Sequence, residues 1–193
     1  IMSELLQAYE TIPRERFVPA SLKSVAYQDE DLSFGNGRFL MEAISHSRMV
    51  QAVEPADDDV VLDIGGTMGY SAAIFSNLVS AVIALEDQED FLLSANILWE
   101  ELALFNIQSF NGMLNKGCDE HAPYDIIFMN GAVSKLPETL IEQLRPGGRL
   151  MCVLRENPNA MGQATLVKKI GEKQFSTYAL FEVGCPYIIG FEP

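Results

Sequence analysis

The most constraining stretch of the chain is Val60-Val61-Leu62-Asp63-Ile64-Gly65-Gly66-Thr67-Met68-Gly69-Tyr70, followed by Ser71-Ala72-Ala73-Ile74-Phe75. A short β-branched and aliphatic run that ends in glycines reads as a buried parallel strand. The small and apolar residues after Gly69 recur at helical spacing. Strand, glycine turn and helix place backbone N–H groups and the positive end of a helix dipole at the carboxyl edge of a sheet, where a nucleotide-like ligand can sit. A second aliphatic run, Ala81-Val82-Ile83-Ala84-Leu85, ends in Glu86. An acid at the tip of the second strand is where a ribose hydroxyl pair is usually held. Thr67 breaks the pattern: such turns carry glycine where backbone passes close to the ligand, and a β-carbon there narrows the pocket or displaces the ligand.

Composition closes off several function classes. With 27 acidic against 13 basic residues the formal net charge is -14. That balance disfavours nucleic acid or an anionic membrane surface as partner. The acids fall in Gln28-Asp29-Glu30-Asp31, Asp57-Asp58-Asp59 and Glu86-Asp87-Gln88-Glu89-Asp90, at turns and helix starts where solvated loops and N-caps are expected. No apolar run approaches the roughly 20 residues that cross a bilayer. The N-terminus lacks a basic region followed by an apolar one, so a cytoplasmic protein is expected. With Ile1 first, a start shortened from a longer chain is expected. Cys118, Cys152 and Cys185 form no metal-ligand pattern and no disulfide framework, and Cys152 reads as a small core residue. The two histidines, His46 and His121, sit in no metal motif, and His121 reads as a surface loop residue.

In chain order, residues 3–10 form a short amphipathic helix, and the prolines of Ile12-Pro13-Arg14-Glu15-Arg16-Phe17-Val18-Pro19 fence a turn. Gly37-Arg38-Phe39-Leu40-Met41-Glu42 is expected to run into a helix that continues from Ser45 to Val53, with Met49, Val50 and Val53 inward. Beyond it, strands are expected at 60–64, 81–85, 107–110, 124–129 and 150–154. Helices are expected at 70–79, 89–104 and 137–144, with Pro137 at a favoured first position. Strands around 165–170 and 177–183, joined by Gly171-Glu172-Lys173-Gln174 with no helix between them, read as an antiparallel edge hairpin. The expected fold is α/β: a Rossmann-like, doubly wound, mostly parallel sheet with an antiparallel C-terminal edge. One domain spans 1–193, with 1–55 as a helical N-terminal cap and substrate region and 56–193 as the core.

Three segments carry a resemblance beyond fold. Residues 12–19, Ala26-Tyr27-Gln28-Asp29-Glu30-Asp31-Leu32, and Leu136-Pro137-Glu138-Thr139-Leu140-Ile141-Glu142-Gln143-Leu144-Arg145-Pro146-Gly147-Gly148-Arg149-Leu150 resemble the protein-L-isoaspartate O-methyltransferase family. The turn at 63–70 and Ala122-Pro123-Tyr124-Asp125 fall at matching positions between them. The likeness covers about residues 8–154 and is closest to a divergent, alphaproteobacterial-like branch in which Gly-Arg-(aromatic)-Leu precedes a helix. It implies a class I methyltransferase fold, an S-adenosylmethionine pocket above the first and second strands, and methylation of isoaspartyl carboxylates in damaged protein or peptide substrates. On that reading Asp63, Gly65, Gly66 and Gly69 form the cofactor turn, Glu86 meets the ribose and Met113 lies near the adenine.

The chain departs from the family at several points. The family's Ser-x-Pro after its Gly-x-Gly loop falls on Met41 and Ala43, so no substrate-contacting hydroxyl is expected there, and no confident catalytic residue follows. Ser45 and Ser47 lie a turn further on and substitute only if the loop is rebuilt. The Gly-Asp pair that meets adenine is Gly112-Met113. The Arg-Phe-Val-Pro-Leu substrate strand has no counterpart in 186–191. Two hypotheses therefore stand: a working methyltransferase, or a methyltransferase-fold binding or scaffolding protein that has lost its cofactor site. A nicotinamide-linked oxidoreductase is poorer, because the six-residue Gly-x-Gly-x-x-Gly fails and no acid–base pair presents itself.

Overall fold

Aliphatic runs alternating with helical stretches build a seven-stranded sheet in the computed structural model, which describes residues 2–193. The elements are α1 Met2–Thr11, β1 Leu32–Gly35, β2 Arg38–Leu40, α2 Ala43–Ala52, β3 Val60–Ile64, α3 Tyr70–Ser76 and β4 Ala81–Glu86. They continue as α4 Glu89–Glu101, β5 Ile107–Asn111, β6 Tyr124–Val133, α5 Glu138–Glu142, β7 Leu144–Leu154, β8 Gly162–Gly171 and β9 Gln174–Val183. The strand order is β5-β4-β3-β6-β7-β8-β9. The first five in that order pair in parallel, and β8 and β9 add antiparallel at one edge. The doubly wound fold and its antiparallel edge are as the sequence implies.

Parallel strands are covered on both faces, which is why β3 and β6 read as near-continuous apolar runs. Alternate residues serve opposite layers. Ile126 and Phe128 join Phe75, Met49 and Met151 on one side, while Ile127 and Met129 join Leu62, Leu140 and Leu150 on the other. The N-terminal region shares the first of these cores, through Leu5, Phe17, Met41, Met49, Val50 and Val53. Arg14, 1% exposed, fastens it by donating to the carbonyls of Ala26 at 2.7 Å and Met41 at 2.6 Å while lying over the Tyr70 ring.

Residues 37–42 do not enter a helix. Arg38–Leu40 pairs antiparallel with Leu32–Gly35 as a two-stranded ribbon outside the main sheet, and α2 starts at Ala43. The cause is local. Asn36 and Gly37 have φ of 52° and 73°, the backbone of the two-residue turn that joins tight hairpins. The helix is then started by Glu42, whose carboxylate accepts from the N–H of Ile44 and Ser45. Elsewhere boundaries move by a few residues: α4 ends at Glu101, before Ala103 with φ 57°, and β7 begins at Leu144 through an irregular register with β6.

His46 on α2 is buried, its Nδ1 2.5 Å from the Tyr9 hydroxyl and its ring edge-on to Phe128. Its Nε2 has no hydrogen-bond partner among the described residues. Burial, with the charge of Arg14 adding, holds its pKa down to about 3. The folded chain therefore keeps His46 neutral where the unfolded chain protonates it, so its contribution is complete above the unfolded value and is lost as pH falls. Asp63 opposes this, since burial raises its pKa to about 6. A His46→Phe variant isolates the histidine. Between pH 7.5 and pH 5 the unfolding free energy of the parent should fall by about 2 kcal/mol more than that of the variant. Parallel pH profiles in chemical denaturation would contradict the assignment.

Candidate functional site

The chain leaves β3 towards one sheet edge and returns at β6 to build towards the other. A crevice opens where strand order reverses in this way, at the carboxyl ends of the strands, and it is the usual ligand position in such folds. Here it lies between the turn at 64–70 and residues 129–131. Asn130 spans it, donating from Nδ2 to the Asp63 carboxylate at 2.8 Å and to the Ile64 carbonyl at 3.0 Å. Ser71 at the head of α3 donates to the same carboxylate at 2.7 Å. Asp63 thus braces the turn from below.

The turn is shaped by packing as much as by any ligand. Gly69, at φ 89°, carries α3 into place and gives its carbonyl to the Trp99 indole N–H at 3.0 Å. A Cβ on Gly69 would stand 2.4 Å from the Trp99 ring. The Gly65 N–H donates to the Leu85 carbonyl at 3.0 Å. Thr67 adopts φ 51°, an unusual conformation for a β-branched residue. It is 3% exposed, and its hydroxyl has no partner among the described residues.

Glu86 is not a solvated strand-end acid. It is 2% exposed and accepts from the N–H of Thr67 at 3.2 Å, Asp87 at 2.9 Å and Gln88 at 3.2 Å. Its further partner is the guanidinium of Arg38, 2.5 Å away and itself 4% exposed. Arg38 also pairs with Asp87. Burial pushes the Glu86 carboxyl up to about 7, against the lowering field of Arg38. The cluster of Arg38, Gly65, Thr67, Asn130 and Ile188 leaves a void of about 10 Å³. A roomier groove of about 990 Å³ lies along Leu5, Pro55, Asn77 and Val79, by the amino ends of β3 and β4 and away from their carboxyl ends.

The structure brings together Asp63, Gly65, Gly66, Gly69 and Glu86 at this crevice. Met113 follows Gly112, whose N–H donates to the Glu86 carbonyl at 3.1 Å, and Met113 is 62% exposed. Met41 is buried, and its carbonyl accepts from Arg14. Ser45 and Ser47 do not replace the missing hydroxyl: Ser45 donates to Glu42, and Ser47 to the Ile44 carbonyl at 2.9 Å. Residues 186–191 lie along the carboxyl end of β6, where Pro186 and Ile188 bond to Ala132 and Phe191 bonds to Ser134. Sequence reasoning missed Arg38 and Asn130. The Asn36-Gly37 pair was the available signal for Arg38, since a tight hairpin there directs the next residue back towards the sheet.

Residues 2–187 match the family described as Protein-L-isoaspartate(D-aspartate) O-methyltransferase. The chain belongs to the protein-L-isoaspartate O-methyltransferase family. Among curated members it is 38% identical over 148 residues to the Protein-L-isoaspartate O-methyltransferase of Pelotomaculum thermopropionicum, covering 77% of this chain and 65% of that protein. It is 31% identical to Protein-L-isoaspartate O-methyltransferase 2 of Pelobacter propionicus, covering 97% and 83%. A solved protein-L-isoaspartate O-methyltransferase superposes with a TM-score of 0.83 at 26% identity, over 97% of this chain and 61% of that one. The match thus spans under two thirds of the Pelotomaculum protein and of that solved chain. A candidate family member from Plasmodium falciparum, solved with S-adenosyl-L-homocysteine, shares the fold at 16% identity with a TM-score of 0.77 over 94% of this chain and 88% of that one.

Two stability outcomes follow from the site. Glu86→Ala leaves the Arg38 guanidinium with only the rim carboxylate of Asp87 and takes the acceptor from three backbone N–H groups, and should cost about 3 kcal/mol. Thr67→Gly removes left-handed strain and an unsatisfied buried hydroxyl, and should stabilise by about 1 kcal/mol despite the added chain entropy of glycine. Denaturant titration measures both. A loss on Thr67→Gly would mean that packing of the threonine methyl outweighs the strain.

Proposed function

We propose that this chain is an S-adenosylmethionine-dependent methyltransferase acting on the free carboxylate of isoaspartyl residues in damaged proteins. The observation that carries the reading is the glycine turn and Glu86 at the β3–β6 reversal, in a chain that belongs to this family over nearly its whole length. The donor set suits the cofactor. The turn at Gly65, Gly66 and Gly69 would take its amino-acid and sulfonium end, Glu86 the ribose hydroxyls, and Met113 would supply an apolar wall at the adenine. The space does not yet suit it. Small-ligand pockets run to about 300–1,000 Å³, so a void of about 10 Å³, room for about one water, must open before a nucleoside enters.

When bound, the cofactor supplies a methyl group on a good leaving group. The substrate carboxylate is already a nucleophile, so the protein needs no general base. Its own residues hold and align the substrate and exclude water. Partners are peptides or proteins bearing isoaspartyl. The charge balance of the chain argues against nucleic acid, and among the described residues no helix is long and apolar enough to cross a membrane.

Incubation with methyl-labelled S-adenosylmethionine and a peptide pair differing only in isoaspartyl against aspartyl linkage tests the reading. Base-labile label should enter the isoaspartyl peptide alone. A folded chain that neither binds S-adenosylhomocysteine at millimolar concentration nor forms the ester would instead be a binding protein on a methyltransferase fold.

A further inference from the structure

Arg38 occupies the position that the proposed function gives to the cofactor's ribose. Its guanidinium holds Glu86 through Oε1, which also accepts from the N–H groups of Asp87 and Gln88, while Oε2 accepts from the N–H of Thr67. The pair is almost fully buried, whereas the second partner, Asp87, has a side chain 35% exposed and sits at the rim. Arg38 Nε and the Thr67 hydroxyl face no hydrogen-bond partner among the described residues, and both residues line the small central void. A buried polar atom left unsatisfied is costly, so the closed arrangement leaves unused donors where ligand oxygens would lie.

The element that carries Arg38 is paired only with itself. The β1–β2 ribbon is not bonded into the seven-stranded sheet. Its tip, Gly35-Asn36-Gly37, has φ of 85°, 52° and 73°, and of its two glycines Gly37 lies against the apolar Ile189 side chain while Gly35 faces open space. Phe39 packs beside Ile188 over Gly131. Lifting this ribbon breaks no backbone bond of the main sheet, but it draws Leu32, Phe39 and Leu40 out of the core they share with it, so the opening is a local unfolding step short of the global one.

We propose that Arg38 is the affinity-determining gate of the crevice: it competes with the cofactor for Glu86, and the cofactor enters only as the guanidinium withdraws towards Asp87 with the β1–β2 ribbon. This rests on the cofactor reading given under the proposed function. A closed majority lowers apparent affinity by the fraction of open molecules, so removing the competitor tightens binding without a new contact.

Calorimetric titration with S-adenosylhomocysteine tests it on the parent chain, Arg38→Gln, Arg38→Met and, as a control, Phe39→Ala. The control loosens the same ribbon and keeps the charge. Thermal unfolding verifies that each variant is folded, and Arg38→Gln, which still donates a hydrogen bond to Glu86, carries the test if the methionine variant does not fold. The expected result is binding at least 10-fold tighter in the Arg38 variants and no comparable gain in Phe39→Ala. Equal tightening in all three would make ribbon looseness, not the guanidinium, the determinant and would overturn the proposal. Equal affinity of the parent and the Arg38 variants would overturn the gate and leave the cofactor reading standing. No binding by any folded form would overturn both.

Discussion

The central constraint is the reversal of strand order between β3 and β6. Neighbouring parallel strands whose chains depart in opposite directions leave a gap at their carboxyl ends that no loop covers by necessity. Asn130 closes its floor by bonding across to Asp63 and the Ile64 carbonyl. With Ser71 on the same carboxylate, β3, β6 and α3 are pinned together at one point. The burial that this requires raises the Asp63 pKa, and the hydrogen bonds it accepts are what make a buried acid tolerable there.

Above that floor the chain closes the gap with its own side chains. An ion pair buried as deeply as Arg38 and Glu86 gives up the hydration of both groups, a cost of several kcal/mol per ion that the mutual attraction only roughly offsets. Its net contribution to folding is therefore small, although Glu86 without Arg38 would be a buried carboxylate with no counter-charge. The pair is better understood as a closure than as a strut. The sheet, Trp99 against Gly69, and the Arg14 clip on Ala26 and Met41 hold the fold. The guanidinium decides whether the crevice is open.

Much of the architecture was legible in the residues. The apolar runs at 60–64 and 124–129, glycines at 65, 66 and 69, and the helix-free hairpin at the end specify a doubly wound sheet, because burial on both faces and turn chemistry act within a few residues. Residues 37–42 were misread because the apolar run Phe39, Leu40 and Met41 leads straight into the helical pattern of α2 and carries no period of its own, and the turn chemistry of Asn36-Gly37 outweighed that continuity. The acid at 86 was legible as a strand-end residue, but not its partner.

The sequence by itself determined the family, the sheet and the position of the glycine turn, since each depends on local pattern or on motifs read in a line. Tertiary structure alone decided that Arg38 faces Glu86, a residue 48 positions later in the chain, and that Asn130 faces Asp63, 67 positions earlier. It also decided that Met41 is buried with its carbonyl held by Arg14 and that Ser45 and Ser47 serve the start of α2. The physical reason is that charge pairing and burial depend on distance in space. Two residues far apart in sequence carry no mark of each other until the strands between them have been laid side by side.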